Sequence, residues 1–184
     1  AAANLLMSGG ERLRIEGVVQ GVGFRPHVWR LARGLDLHGG VRNEGGAVVV
    51  ELWGSAGQRE RFMLALQSQL PPLAKITAIH REPLASDAPA TEFIIEESRQ
   101  GAVDVGLSPD AALCEECLRE LYDETDRRHL YPFINCIHCG PRFTITRALP
   151  FDRDTTAMAG FPLCQRCAEE YLDPGTRRFH AQAT

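Results

Sequence analysis

The chain has 184 residues, of which 44% are hydrophobic and 24% charged, and its formal net charge is −4. This composition is typical of a globular protein, and the length suits two small domains better than one of medium size. The acidic balance gives no bulk attraction to nucleic acid or to an anionic membrane surface. No apolar run approaches the roughly 18 residues that a membrane-spanning helix needs. We therefore expect neither a nucleic-acid partner nor a membrane partner.

The first ten residues and the cysteines bear on where the protein works. Residues 1–10 lack the basic and long apolar segments of a secretory signal, and we interpret them as a disordered tail or a cloning remnant before Met7. The six cysteines all lie in C-x2-C pairs, which favours metal ligation or redox chemistry in a reducing compartment over secreted disulfides. The sequence therefore predicts a cytoplasmic protein.

A first domain is predicted over residues 11–98. Period-two alternation marks its strands and 3.6-residue spacing marks its helices. Glu44-Gly45-Gly46 supplies the glycines of a tight hairpin turn, and Pro71-Pro72 ends the second helix. Strands are predicted over residues 11–18, 37–43, 47–53, 76–81 and 92–97, and helices over residues 26–35 and 58–70. The order β-α-β-β-α-β predicts a ferredoxin-like α+β sandwich, with room for an extra edge strand.

The turn between the first strand and the first helix has the features of an anion-binding site. Gly21 and Gly23 let the backbone curl around a tetrahedral oxyanion, and Pro26 opens the helix. The free N–H groups and the dipole of a helix start favour negative charge there. Arg25 would add a permanently charged fork. From this pattern alone, an ordinary strand-to-helix turn with a solvated arginine is an equal alternative.

Residues 19–25, Val-Gln-Gly-Val-Gly-Phe-Arg, resemble the acylphosphatase signature, and a strand ending in Asn43 and a glycine turn follow in the same order. The resemblance implies that Arg25 and Asn43 are catalytic, Asn43 by orienting the attacking water. It also implies a phosphate cradle of Gln20, Gly21, Val22, Gly23, Phe24 and Arg25. These residue types suit the reaction, because a mixed carboxylic–phosphoric anhydride needs only a positioned water and neutralised charge. Without this context, Asn43 would be a turn residue.

Residues 99–110 form a polar linker, and residues 111–184 form a small zinc-finger region with little regular structure. Its first four cysteines have the spacing C-x2-C-x18-C-x2-C, typical of a structural zinc site with four thiolates: Cys114, Cys117, Cys136 and Cys139. Redox-active C-x2-C pairs are the alternative, but neither pair opens a thioredoxin-like βαβ unit. We therefore predict structural zinc.

A third pair, Cys164 and Cys167, exposes an internal repeat. A shift of fifty positions aligns residues 114, 117, 120, 123, 127 and 128 with residues 164, 167, 170, 173, 177 and 178. The counterparts of the closing cysteines would fall at positions 186 and 189, so we predict a second finger truncated after Thr184. Cys164 and Cys167 are predicted zinc ligands that need outside help, from His180, water or another chain. Interleaved pairing of the cysteine motifs is also open.

The whole arrangement resembles the N-terminal part of the HypF carbamoyltransferases, which mature nickel–iron hydrogenases. The resemblance implies that the acylphosphatase-like site hydrolyses carbamoyl phosphate to carbamate and phosphate. It further implies later domains, outside this chain, that use ATP to activate the carbamate and transfer it to a HypE-type partner protein. A zinc-finger docking module with an idle or regulatory phosphate site is the alternative function. Nucleic-acid binding through the arginines is a third, which the acidic charge disfavours.

Overall fold

The structure is a computed structural model that describes residues 9–85, 91–99, 110–148 and 151–184. Its first part is a five-stranded sheet with two helices packed on one face, which confirms the predicted ferredoxin-like α+β sandwich. The elements are β1 (Gly10–Val18), α1 (Phe24–Gly34), β2 (His38–Glu44), β3 (Ala47–Trp53), α2 (Ala56–Ser68), β4 (Lys75–Leu84) and β5 (Phe93–Ile95). Most of the predicted tail and linker lies outside the described residues.

The strand order β4-β1-β3-β2-β5 places the end of β1 beside the hairpin between β2 and β3. β1 runs antiparallel to β3 with Ile15 opposite Val48, and β2 runs antiparallel to β3 with Asn43 opposite the same Val48. The residues that follow β1 and the end of β2 therefore meet at one end of the sheet. The predicted strand at 92–97 is shorter, and it pairs parallel to β2 as the extra edge strand β5.

One apolar core lies between the sheet and the two helices. In β1, the fully buried Leu13 and Ile15 alternate with charged residues on the open face of the sheet. Helix α2 begins with a capping box, in which Ser55 and Gln58 satisfy each other's backbone amides. Helix α1 begins at Phe24, two residues before Pro26, so Arg25 lies in its first turn. This core fixes the loop that precedes α1.

The finger region is built from two copies of one small unit, which makes the repeat of the sequence a structural repeat. Helices α3 (Glu115–Tyr122) and α4 (Gln165–Leu172) begin directly after Cys114 and Cys164, and the described residues between them form short 3₁₀ segments and an isolated β-bridge. Leu130 and His180, fifty positions apart, both have a left-handed backbone, with φ of 55° and 49°. Within the described ranges, no helix is long and apolar enough to cross a membrane.

Candidate functional site

The β1–α1 loop, residues 19–23, turns at two glycines. Gly21 and Gly23 have φ of 72° and 75°, a region in which side chains other than glycine are strained. Gly23 is the residue before α1 and provides no side-chain cap for the helix. The start of α1 therefore presents backbone donors and the positive end of its dipole to whatever lies against the loop.

Gln20 ties this loop to the hairpin. Its Nε2 atom donates to the carbonyl oxygens of Gly45 at 2.8 Å and Ala47 at 3.1 Å. The side chain of Gln20, which was expected in the phosphate cradle, thus holds the start of the loop against the turn that follows β2. This anchor brings the loop next to the end of the strand that carries Asn43.

Arg25 is nearly buried, with 8% of its surface exposed. Its Nη2 atom lies 3.3 Å from Nδ1 of His180 and 4.0 Å from Oδ1 of Asp152, both in the finger region. Burial lowers the pKa of Arg25 and the Asp152 carboxylate opposes this, so the guanidinium stays charged at neutral pH. Both contacts use Nη2, so the N–H groups of Nε and Nη1 are left to donate to an oxyanion.

Asn43 lies on β2 with 1% of its surface exposed. Neither its Oδ1 atom nor its Nδ2 atom has a hydrogen-bond partner among the described residues. A buried polar group left without a partner costs about 1–3 kcal/mol, and no described residue uses the hydrogen-bonding capacity of this amide. Asn43 is not among the residues that line the cavity beside Arg25.

The cavity beside Arg25 is formed jointly by the loop and the finger region. Its volume is about 20 Å³, and its walls include Gly21, Gly23 and Arg25 on one side and Ile137, Phe151 and residues 179–182 on the other. The two sides are in close contact, because a Cβ atom added at Gly23 would lie 2.9 Å from Cβ of Ile137. One added at Gly21 would lie 3.1 Å from Cβ of Pro141. The finger region thus covers the loop.

The first four cysteines converge on one point. All four Sγ atoms lie within 4.8 Å of one another, and three of the separations are 3.6 Å (114–136), 3.7 Å (136–139) and 3.8 Å (117–139). A tetrahedron with Zn–S bonds of about 2.3 Å has edges of about 3.8 Å. The donor set and its spacing fit a tetrahedral zinc ion, and the thiols pair sequentially rather than interleaved.

Cys164 and Cys167 lie apart from this cluster. Among the described residues they form no group of three or more possible ligands, and Sγ of Cys167 accepts from Nη1 of Arg127 at 3.4 Å. His180, considered as their helper, contacts Arg25 instead. The assignment of these two cysteines as zinc ligands stays a prediction.

Sequence reasoning missed the residues through which the two repeats and the two domains touch. Glu120 in α3 binds Arg177 and Arg178, and its counterpart in α4 binds the equivalent arginines of the first repeat. The fifty-residue shift aligned these positions but gave no sign that they cross between repeats. Asp152 carried no signal in the sequence. For His180, the one available signal was that it replaces a leucine of the first repeat.

Comparisons with known proteins match both parts of the chain. The acylphosphatase family matches residues 11–95, and the HypF finger family matches residues 113–146 and 163–184. Carbamoyltransferase HypF of Rhodobacter capsulatus is 46% identical over 93% of this chain and 23% of its own length. An acylphosphatase of Burkholderia mallei is 45% identical over 41% of this chain and 76% of its own length.

A solved structure agrees with these matches. The crystal structure of a full-length HypF in its phosphate- and nucleotide-bound form superposes with a TM-score of 0.83 at 42% identity, over 95% of this chain and 23% of that one. The chain thus spans less than a quarter of the HypF proteins that it matches. It belongs to the acylphosphatase family, and its acylphosphatase domain followed by a HypF finger corresponds to the N-terminal part of the HypF carbamoyltransferases.

Proposed function

We propose that the acylphosphatase domain hydrolyses carbamoyl phosphate to carbamate and phosphate. The observation that carries the proposal is the Asn43 amide, which is buried without a hydrogen-bond partner in the part of the chain that the structure describes, at the end of the sheet where the β1–α1 loop is anchored. Such an amide can accept from a water through Oδ1 and donate to a phosphoryl oxygen through Nδ2. Arg25 and the loop amides would hold the other phosphoryl oxygens.

The reaction makes few demands on the protein. The oxygen of water forms a bond to phosphorus, the bond between phosphorus and the bridging oxygen breaks, and carbamate leaves with that electron pair. The water's protons pass to phosphate and solvent. Because carbamate is a good leaving group, positioning of the water and neutralisation of the phosphoryl charge are sufficient. A glycine loop, a buried arginine and an amide meet both needs without a nucleophilic side chain.

We assign zinc a structural role at the four clustered thiols. Four thiolates fill a tetrahedral coordination sphere, so the ion would have no open position for a substrate. The ion's contribution would be to hold together a region with too small an apolar core to fold on its own. We also propose that in a longer protein later domains use ATP and deliver the carbamoyl group to a HypE-type partner, because the matched relatives extend far beyond this chain.

A docking function is the second candidate, and one surface favours it. Tyr122 in α3 and Leu172 in α4, equivalent in the two repeats, are each 68% exposed. Two exposed apolar side chains at repeated positions would suit a bivalent contact with a partner protein. In that case the phosphate site would be idle or regulatory.

Release of inorganic phosphate from carbamoyl phosphate separates the two functions. We expect turnover by the unmodified chain and a loss of about a hundredfold to a thousandfold in Arg25→Ala or Asn43→Ala, because each removes one group that stabilises the transition state. Arg30→Ala is the matched control, since Arg30 is exposed on the same helix. Wild-type turnover in either site variant would overturn the catalytic assignment. No turnover by the unmodified chain, together with capture of a HypE-type partner, would favour docking.

A further inference from the structure

The second repeat contributes to the acylphosphatase cavity. We propose that His180 positions the Arg25 guanidinium and that residues 179–182 limit the substrate to small acyl groups. This inference rests on the proposed phosphate site, and it adds a specificity determinant that belongs to the finger region rather than to the acylphosphatase domain. Four sets of observations carry it: the contact to Arg25, the packing around the imidazole, the contrast with the first repeat and the size of the cavity.

The contact fixes the chemical state of His180. Guanidinium nitrogens only donate, so Nδ1 of His180 must accept from Nη2 of Arg25 across their 3.3 Å separation. The ring proton then resides on Nε2. Burial and the charge of Arg25 lower the pKa of His180 to about 4, which keeps the ring neutral at pH 7. Among the described residues, Asp152 beside Arg25 and Tyr171 stacked on the imidazole are the other titratable groups that face this pair.

Two aromatic rings and a backbone hydrogen bond hold the imidazole in place. It stacks on Tyr171 with ring centroids 4.9 Å apart and on Phe179 with centroids 4.2 Å apart. Its backbone amide donates to the carbonyl oxygen of Tyr171 at 3.0 Å, and the hydroxyl of Tyr171 donates to the buried Gln182. The wall around His180 is therefore a set of interlocked side chains, and the imidazole can hold the guanidinium in one position.

Comparison of His180 with its equivalent in the first repeat, Leu130, shows which feature differs between the two repeats. Leu130 has the same left-handed backbone as His180, and its amide makes the equivalent bond to α3. Yet Leu130 is 64% exposed, whereas the imidazole is packed against Arg25. The backbone of this turn thus belongs to the repeat itself, and the side chain at this position is what differs. The same substitution made at each of these two positions therefore distinguishes an effect on the cavity wall from an effect on the stability of the turn.

The size of the cavity limits the acyl group. Its volume of about 20 Å³ is little more than the 10–15 Å³ or so that one water needs on the same measure. Phe151, Phe179 and His180 are among its walls. A cavity of this size has no room for an aromatic ring, so benzoyl phosphate bound through Arg25 would have to displace these walls further than carbamoyl phosphate, whose acyl group is much smaller. A smaller side chain at position 180 would widen the cavity where it faces the loop.

Turnover of two acyl phosphates by the full chain tests the wall. Glycine adopts the left-handed backbone of position 180 without strain, so His180→Gly removes the side chain alone. In this variant we expect the ratio of kcat/KM for benzoyl phosphate to that for carbamoyl phosphate to rise at least about tenfold. Leu130→Gly, the matched control, should keep the wild-type ratio. A merely structural role would lower both rates together, so an unchanged ratio in His180→Gly would overturn the specificity assignment.

Calorimetric binding of inorganic phosphate tests the positioning role separately. We expect about tenfold weaker binding in His180→Gly and near-normal binding in His180→Asn, because asparagine tolerates this backbone and its Oδ1 can accept from Arg25. Equal affinities of wild type and His180→Gly would overturn the positioning role. If the unmodified chain releases no phosphate from either substrate, the proposed function fails, while the phosphate affinities still decide whether His180 positions Arg25.

Discussion

Arg177 donates from Nη1 to the Sγ atom of Cys117 across 3.0 Å, although sixty residues separate them along the chain. The equivalent arginine of the first repeat, Arg127, lies 3.4 Å from Sγ of Cys167 in the second. An arginine of each repeat thus donates a hydrogen bond to a cysteine of the other repeat. Hydrogen bonds to a metal-bound thiolate orient it and offset its negative charge. The two repeats therefore support each other's cysteine pairs.

Arg177→Ala is expected to weaken zinc binding at the four-cysteine cluster about tenfold to a hundredfold, since loss of a group that supports a metal ligand has effects of this size. Competition with a chelator for the bound zinc measures the change. The matched control is Arg127→Ala, whose contacts are to Cys167 and Glu170, and it should leave the cluster's affinity unaltered. Equal affinities in the two variants would contradict the prediction.

Gly23→Ala is expected to lower the free energy of unfolding by about 1–3 kcal/mol. Two causes act together, the φ of 75° and the approach of the new Cβ to within 2.9 Å of Cβ of Ile137. Urea unfolding measures the loss. Gly34→Ala serves as control, because an added Cβ there meets nothing within 4 Å, and it should be neutral or slightly stabilising. An unchanged free energy of unfolding in Gly23→Ala would show that the finger region does not pack tightly against the loop.

Asn43→Ala is expected to raise the free energy of unfolding by about 1 kcal/mol while lowering phosphate release about a hundredfold to a thousandfold, because it removes a buried amide that has no hydrogen-bond partner among the described residues. Asn135 is the matched control. It is equally buried, but its Nδ2 donates to the carbonyl oxygen of Gly140 and its Oδ1 accepts from Thr184 at 2.7 Å. Asn135→Ala should therefore lose about 1–3 kcal/mol. Destabilisation of both variants to the same extent would refute a site prepared for a ligand.

The pH dependence of stability should report the buried His180. Its pKa is about 4 in the folded chain, against about 6.5 when unfolded. Between these values the unfolded chain binds more protons, so the free energy of unfolding falls as the pH drops through this window. His180→Asn lacks this group and should lose less stability on acidification. His27, whose pKa burial also lowers, contributes equally in both proteins. Parallel stability curves would contradict the prediction.

Local patterns carried most of the fold and the first half of the site. Alternation in β1 and the glycine turn after Glu44 are readable from neighbouring residues, because each is a short-range property of the backbone. The loop, Arg25 and the four clustered cysteines follow from motifs of the same kind. The pairing of β5 was less accessible, since a strand of three residues offers too little alternation to set its partner.

Contacts between the two domains could not be read in the same way. His180 was a possible zinc ligand in the sequence, because histidine suits both a metal and an arginine and nothing local distinguishes them. Its partner lies 155 residues away. The crossing of Glu120 to Arg177 and Arg178 was hidden for a similar reason, since a repeat predicts like units without saying how they associate. Residue types were readable, whereas their long-range neighbours were not.

The two residues whose contact closes the cavity, Arg25 and His180, are synthesised at different times. At roughly 5–20 residues per second, the ribosome makes Arg25 on the order of ten seconds before it makes His180, 155 residues later. The sandwich can fold during that interval, because all its strands precede the finger region. A nascent chain therefore passes through a stage with the loop in place and the opposite wall missing. Acyl-group selectivity would then be the last property that the domain acquires, conferred by residues translated after it.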